Sequence, residues 1–197
     1  MPISAIILAG GRATRMNGVD KGLVLLQQKP LIAHVIARLT PLVNEILINA
    51  NREISEYKAF CLPVLQDEQA DFIGPLAGFS LGLKYCKHEY LLTVPCDSPN
   101  LPRNLAQRLM LNLLEYQADI AVVSSNGNVH PVFCLCKKSV LPSLTDYITQ
   151  GERRVSSWQK SQRYIEVDFS DCSDAFVNLN TFQDLAALES KLNNSST

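Results

Sequence analysis

Two short stretches hold most of the residues that could do chemistry. Residues 7–22 read ILAGGRATRMNGVDKG: an apolar run stops at Gly10 and Gly11, and Arg12, Arg15 and Lys21 follow on one loop. Glycines let a backbone approach a ligand closely and present N–H groups to it. Arginine offers an anion a planar fork and lysine a point charge, so the loop suits phosphate oxygens. The second stretch, VPCDSP (94–99), delivers Asp97 between two prolines directly after an apolar run. Carboxylate oxygen is the natural ligand for Mg²⁺, which usually keeps waters and substrate phosphates in its shell. Together they would make a metal-assisted phosphoryl or nucleotidyl transfer site. The competing readings are a solvated basic turn and a helix-capping aspartate.

Other chemistries are poorly served. The ATPase phosphate loop needs Gly-Lys followed by Ser or Thr, whereas Gly22 follows Lys21 here. The dinucleotide fingerprint fails because Gly10 and Gly11 are adjacent. Only three histidines are present, without a Ser/His/Asp or Cys/His constellation. The six cysteines form no CxxC pair. Cys134 and Cys136 share one face of a strand, which favours core residues in a reducing cytoplasm over a zinc site. A net charge of −1 excludes a general attraction to nucleic acid or anionic membrane, so any anion site is local. The amino-terminal apolar run is too short to span a membrane and has no basic region before it. A cytoplasmic protein is expected.

The elements that must position these residues alternate. Strands are predicted at SAIILA (4–9), EILINA (45–50), PVLQD (63–67), YLLTVP (90–95), DIAVVSS (119–125), PVFCLC (131–136) and RYIEVDF (163–169), with a minor extended piece at 23–26. Helices are predicted from Pro30 through Leu39, at 53–60, 74–86, 105–116, 139–148 (interrupted at Pro142) and 151–160, and after a Thr181 cap over 182–192. Gly78 and Gly82 each weaken the 74–86 helix by about 1 kcal/mol relative to alanine, so close packing or a ligand should explain them. The alternation predicts a three-layer α/β sandwich with a mostly parallel central sheet, Rossmann-like. A single domain is expected over 1–190, with a polar tail at 191–197. Ligands bind beyond the carboxyl ends of such strands. Gly10–Lys21, Asn49, Asp67 and Asp97 each follow or end a strand, which points to one shared site.

The two opening motifs together resemble the nucleotidyltransferases that couple sugars and cofactors to a nucleotide. INANRE (48–53), DEQADFIGPLAG (67–78), HPVF (130–133), GERRVSSW (151–158) and DAFVNLNT (174–181) are similar, in order, to blocks of the MobA-type molybdenum cofactor guanylyltransferases. The likeness runs from about Ile6 to about Leu188. It implies the nucleotidyltransferase fold and transfer of GMP from GTP to molybdenum-bearing molybdopterin, with pyrophosphate released and Mg²⁺ as cofactor. It further implies that Leu8, Ala9, Gly10 and Gly11 line the guanine and ribose. Lys21, with Arg15 beside it, would take the phosphates, and Asn49 and Asp67 the nucleoside. Gly74, Pro75, Leu76 and Gly78 would face the base, and Asp97 would bind the metal. His130, Arg153, Arg154, Asn178 and Asn180 would serve the pterin, so the amino-terminal half is expected to bind GTP and the carboxyl-terminal half the pterin. A monomer is expected, with transient contacts to a molybdenum-insertion protein and to molybdoenzyme chaperones. Two departures stand out: RMNG replaces the commoner RMGG, and NTFQD lacks the usual Pro and Glu.

Rivals are a cytidylyltransferase or sugar-nucleotide-forming enzyme of the same fold, and a non-catalytic nucleotide-binding regulator. His34 and Trp158 are expected to be structural, His88 exposed, and Asp119 the start of a strand. Without the resemblance, Arg153 and Arg154 would read as a solvated helix face.

Overall fold

In a computed structural model the chain is described over residues 1–11, 20–67, 74–176, 179 and 181–194. The strands are β1 (Ile3–Leu8), β2 (Leu25–Leu26), β3 (Lys29–Pro30), β4 (Glu45–Asn49), β5 (Val64–Leu65), β6 (Tyr90–Pro95), β7 (Ile120–Ser125), β8 (Asn128–Lys137) and β9 (Tyr164–Asp168). The helices are α1 (Leu31–Leu39), α2 (Ile54–Lys58), α3 (Pro75–Tyr85), α4 (Leu105–Glu115), α5 (Leu141–Thr149), α6 (Val155–Lys160) and α7 (Phe182–Asn194). Seven strands form one sheet in the order β5-β4-β1-β6-β8-β7-β9, and β2 pairs with β3 apart from it. β8 runs antiparallel to β6 and β7, and the other neighbouring pairs in the sheet are parallel. The expected three-layer, mostly parallel sandwich is what the chain forms.

The continuous apolar strands are explained by burial on both faces. Along β1, Ala5 and Ile7 face a core shared with Ile32, Val35 and Leu39 of α1 and Leu105 and Leu109 of α4. Ile6 between them faces the opposite core, with Phe79 and Leu83 of α3, Cys134 and Cys136 of β8, and Trp158 of α6. Each buried isoleucine, valine, leucine or phenylalanine among them contributes about 1.5–3 kcal/mol. Among the described residues no helix is long and apolar enough to cross a membrane.

The glycines of α3 are explained by close packing. A Cβ on Gly82 would lie 2.7 Å from Leu91 Cδ2 and 2.9 Å from Ile6 Cγ2, and one on Gly78 would overlap Leu8 Cδ2 and lie 2.7 Å from Asn49 Oδ1. Gly78→Ala gains about 1 kcal/mol of helix propensity but overpacks at a cost of about 1–3 kcal/mol. Net destabilisation is expected in a denaturant titration, and stability at or above wild type would show that Leu8 and Asn49 move aside freely.

Several local expectations need correction. β8 starts three residues before the predicted 131, because a tight turn at Asn126 and Gly127 (φ 49° and 77°) pairs Ser125 with Asn128. Pro131 is tolerated because the ladder breaks register there, Val123 pairing with His130 and Val122 with Cys134. Pro142 does not interrupt α5 but sits in its first turn, where its missing N–H costs nothing. The 151–160 segment is helical only from Val155, since Gly151 turns the chain at φ 87°. His88 is half-buried rather than exposed, its Nδ1 lying 2.9 Å from Ser4 Oγ.

Other expectations hold. His34 is structural, with Nε2 2.9 Å from the Leu26 carbonyl. Trp158 is fully buried, edge-on to Phe79 at 5.8 Å between ring centroids. Asp119 stands just before β7, bonded to Arg163 at 2.7 Å and Lys137 at 3.0 Å, and these partners, Arg163 first, hold its carboxyl below the usual range. Thr181 does cap α7: its Oγ1 accepts the Asp184 N–H at 3.1 Å, and Asp184 returns a carboxylate to the Thr181 N–H at 2.8 Å. This reciprocal box starts the helix without the missing Pro and Glu, and the helix runs on to Asn194.

Candidate active site

The parallel register brings four strand ends level. Leu8 pairs with Asn49 on one side and with Pro95 on the other, and Asn49 pairs with Leu65. The ladder continues past the strands: Ala9 N–H donates to Asn49 O at 2.8 Å, Ala50 N–H to Leu65 O at 3.0 Å, and Cys96 N–H to Leu8 O at 3.2 Å. Gly10, Asn49, Asp67 and Asp97 therefore emerge along one edge, as their positions in the sequence predicted.

At one end of this edge Asp67 is held by two asparagines. Asn49 Nδ2 donates to Asp67 Oδ1 at 2.9 Å and Asn51 Nδ2 to Oδ2 at 2.8 Å, while the Asp67 N–H donates to Asn51 Oδ1 at 2.9 Å. Asn51 Nδ2 also lies 3.4 Å from the Gly10 carbonyl. Three loops are thus tied into one polar cradle. Sequence reasoning missed Asn51, although it stands in the INANRE block beside Asn49. Gly74, at φ 64° and ψ −149°, turns the chain into α3 with Pro75 in its first turn; only glycine takes that conformation readily. Gly78 lies directly against Leu8 and Asn49. Leu76 is fully buried and Ala9 nearly so.

At the other end stand the two groups expected to handle phosphate and metal. Lys21 follows Asp20, which caps a short 3₁₀ turn over Lys21–Leu23. Its Nζ makes a close ion pair with Asp97 Oδ2, the lysine side chain 28% exposed and the aspartate 8%. In this form each charge is neutralised by the other. Cys96 beside them is buried, and burial first, then Asp97, pushes its thiol up, so it stands as a neutral thiol. The Ser98 hydroxyl is buried with no hydrogen-bond partner among the described residues.

Among the described residues no group of three or more His, Cys, Asp or Glu could hold a metal ion. Asp97 contributes one carboxylate, paired with Lys21. That donor set does not fit zinc but fits a hard cation such as Mg²⁺, which takes one or two carboxylates and completes its shell with substrate phosphates and water.

The antiparallel register that sets Thr93 opposite Cys134 carries the start of β8, with His130, to the edge where β6 ends. His130 Nε2 lies 2.8 Å from Ser125 Oγ, and its ring packs on Phe176 and Phe133. Burial lowers its pKa, favouring the neutral imidazole. Gln159 of α6 braces the next residue, donating to the Pro131 carbonyl at 2.8 Å. Arg153 and Arg154 lie exposed in the turn before α6, and Arg153 donates to the Ile148 and Glu152 carbonyls at 3.0 and 2.8 Å, closing off α5. No described contact brings either arginine to the Lys21–Asp97 pair. Arg15, Asn178 and Asn180 lie outside the described residues.

A parallel sheet whose strand ends gather an asparagine-held aspartate and a lysine–aspartate pair beside a glycine loop defines a nucleotidyltransferase. The MobA-like NTP transferase domain matches residues 5–165, and the chain belongs to that family. A molybdenum cofactor guanylyltransferase of Polynucleobacter asymbioticus is 48% identical over 194 residues, covering 96% of this chain and 97% of the relative. One from Bordetella petrii is 44% identical over 190 residues, covering 94% and 96%. Among solved structures, molybdopterin-guanine dinucleotide biosynthesis protein A of Archaeoglobus fulgidus matches at TM-score 0.80 over 97% of this chain and 99% of its own. At 19% identity that likeness speaks to the fold. The family suggested by the motif order is the one found.

Proposed function

We propose that this chain transfers the GMP unit of GTP to molybdenum-bearing molybdopterin, releasing pyrophosphate and forming the guanine dinucleotide cofactor. The observation that carries the reading is the convergence of the Asn49–Asn51–Asp67 cradle and the Lys21–Asp97 pair on one sheet edge, in a chain whose relatives bear that name. In this reading the cradle and the Leu8–Gly11 backbone receive guanosine. Lys21 turns from Asp97 to the GTP phosphates, and Asp97 is the residue that would hold Mg²⁺, which would supply charge neutralisation at the reacting phosphates.

The pterin's phosphate oxygen attacks the α-phosphorus. A new P–O bond forms there, and the bond from the α-phosphorus to the oxygen bridging the β-phosphate breaks, so pyrophosphate leaves with that electron pair. A phosphate monoester, with a second pKa near ~6, is already anionic at neutral pH. The reaction therefore needs no strong general base, in keeping with a neutral, hydrogen-bonded His130. What it needs is to bring two anions together, and Lys21 and Arg15 spread their charge as the transition state forms. The amino-terminal half would bind GTP. His130, Arg153, Arg154, Asn178 and Asn180 on the carboxyl-terminal half would receive the pterin. We place the reaction in the cytoplasm, with the chain acting as a monomer that meets a molybdenum-insertion protein and molybdoenzyme chaperones transiently.

The direct test offers GTP and CTP in parallel to the enzyme with molybdenum-loaded pterin and Mg²⁺. Incorporation of GMP alone is expected. CMP incorporation would move the chain to the cytidylyl transfer class, and binding without transfer to the regulators.

A further inference from the structure

Lys21 sits on a turn of only three residues, too short to hold its own geometry by backbone hydrogen bonding. What fixes it lies beneath. Asp20, immediately before it, is 6% exposed, and a carboxylate so buried needs partners. It has three. Tyr57 of α2, wholly buried, donates its hydroxyl to Asp20 Oδ1. The Gly22 N–H donates to the same oxygen at 3.2 Å. The Arg52 guanidinium stands 3.9 Å from Oδ2. Tyr57 and Gly22 also touch: a Cβ on Gly22 would lie 2.6 Å from the Tyr57 hydroxyl oxygen and 3.3 Å from Cys96 Cβ. The lysine turn is therefore clamped between α2 and the end of β6.

We infer that Asp20 and Tyr57 are positioning residues for nucleotide transfer: their buried hydrogen bond fixes the turn that aims Lys21 at the phosphates. The inference rests on the reading of Lys21 as the phosphate-contacting lysine. The segment from Asn49 to Tyr57 does double duty on this account. Its first residues, Asn49 and Asn51, hold the Asp67 cradle, and its last, Arg52 and Tyr57, hold the lysine turn. One stretch of chain thereby sets the distance between the nucleoside end and the phosphate end of the site. Burial first, with the neighbouring Cys96 and Asp20 adding to it, raises the Tyr57 pKa, so the phenol keeps its proton and remains the donor.

The two roles separate by ligand. Guanosine reports the cradle, and GTP reports the cradle plus the phosphate grip. Tyr57→Phe keeps the buried ring and removes only the hydroxyl; Asp20→Asn keeps the shape and removes the charge. Either is expected to weaken GTP binding about tenfold, the loss of one hydrogen bond to a buried charged group. Guanosine binding should be unchanged, which also certifies the fold. Added to Lys21→Met, Tyr57→Phe should produce little further loss, because the brace acts through the lysine.

If Lys21→Met lowers the GTP-to-guanosine affinity ratio but neither brace variant does, the positioning role is wrong and the reading of Lys21 stands. If Lys21→Met leaves the ratio unchanged, that reading itself fails. Full additivity in the double variant, or equal weakening of GTP and guanosine, would make Asp20 and Tyr57 merely structural.

Discussion

Asp97→Asn is expected to slow nucleotide transfer on the order of 10³-fold, about 4 kcal/mol of transition-state stabilisation, with the fold intact. The amide keeps the shape but gives up the negative charge that would hold the cation once Lys21 turns to the phosphates. Stability should change little, because the Lys21 side chain is 28% exposed, so its ammonium stays within reach of water. The reciprocal variant behaves differently. Lys21→Met strands a carboxylate only 8% exposed, and an unpaired buried charge costs several kcal/mol. Lys21→Met should therefore melt well below Asp97→Asn, and added Mg²⁺ should raise its melting temperature more than that of wild type, since no ammonium competes for the carboxylate. Transfer kinetics and thermal melts with and without Mg²⁺ check both halves. Near-wild-type turnover in Asp97→Asn would remove Asp97 from the chemistry.

How far this site could be read from sequence follows from what kind of contact makes it. Residues placed by local pattern were legible: an isoleucine-rich run ending at Gly10, another ending at Asn49, and a third stopped by two prolines at Asp97 each mark a strand end. A parallel sheet must align such ends. Contacts made by side chains meeting across the fold were not legible. Asp20 and Tyr57 are 37 residues apart and Ser4 and His88 are 84 apart, and no periodicity encodes such a meeting. Asp20 did leave a signal, an acid set among cations directly before Lys21, whereas Tyr57 left none in a short amphipathic stretch. The direct pairing of Lys21 with Asp97 was hidden for a related reason. Both motifs were read by what they would bind, and opposite charges brought to one edge first satisfy each other. Arg153 shows a further limit, since its place in a motif suggested a ligand but gave no sign that its guanidinium also donates to two backbone carbonyls.

The second large effect is expected at Trp158, in the core. It is the largest fully buried side chain of the molecule's described residues, packed edge-on against Phe79 of α3. Trp158→Ala should cost about 3–5 kcal/mol, the usual range for emptying an aromatic site in a core. One term works against that loss: the indole Nε1 has no hydrogen-bond partner among the described residues, and its removal relieves a buried donor worth about 1–3 kcal/mol. The measured value should therefore fall toward the low end.

The change should also reach the reaction. Trp158 anchors α6, and its neighbour Gln159 holds the Pro131 carbonyl at 2.8 Å, next to His130. Loosening α6 disturbs that half of the site, whereas the Asn49–Asn51–Asp67 cradle is held by bonds of its own. A variant assayed below its lowered melting temperature is thus expected to show a raised KM for the pterin and an unchanged Kd for GTP. Equal weakening of both substrates would mean that the two halves share one mechanical unit, and Trp158→Phe, which keeps most of the packing, should restore the pterin KM first.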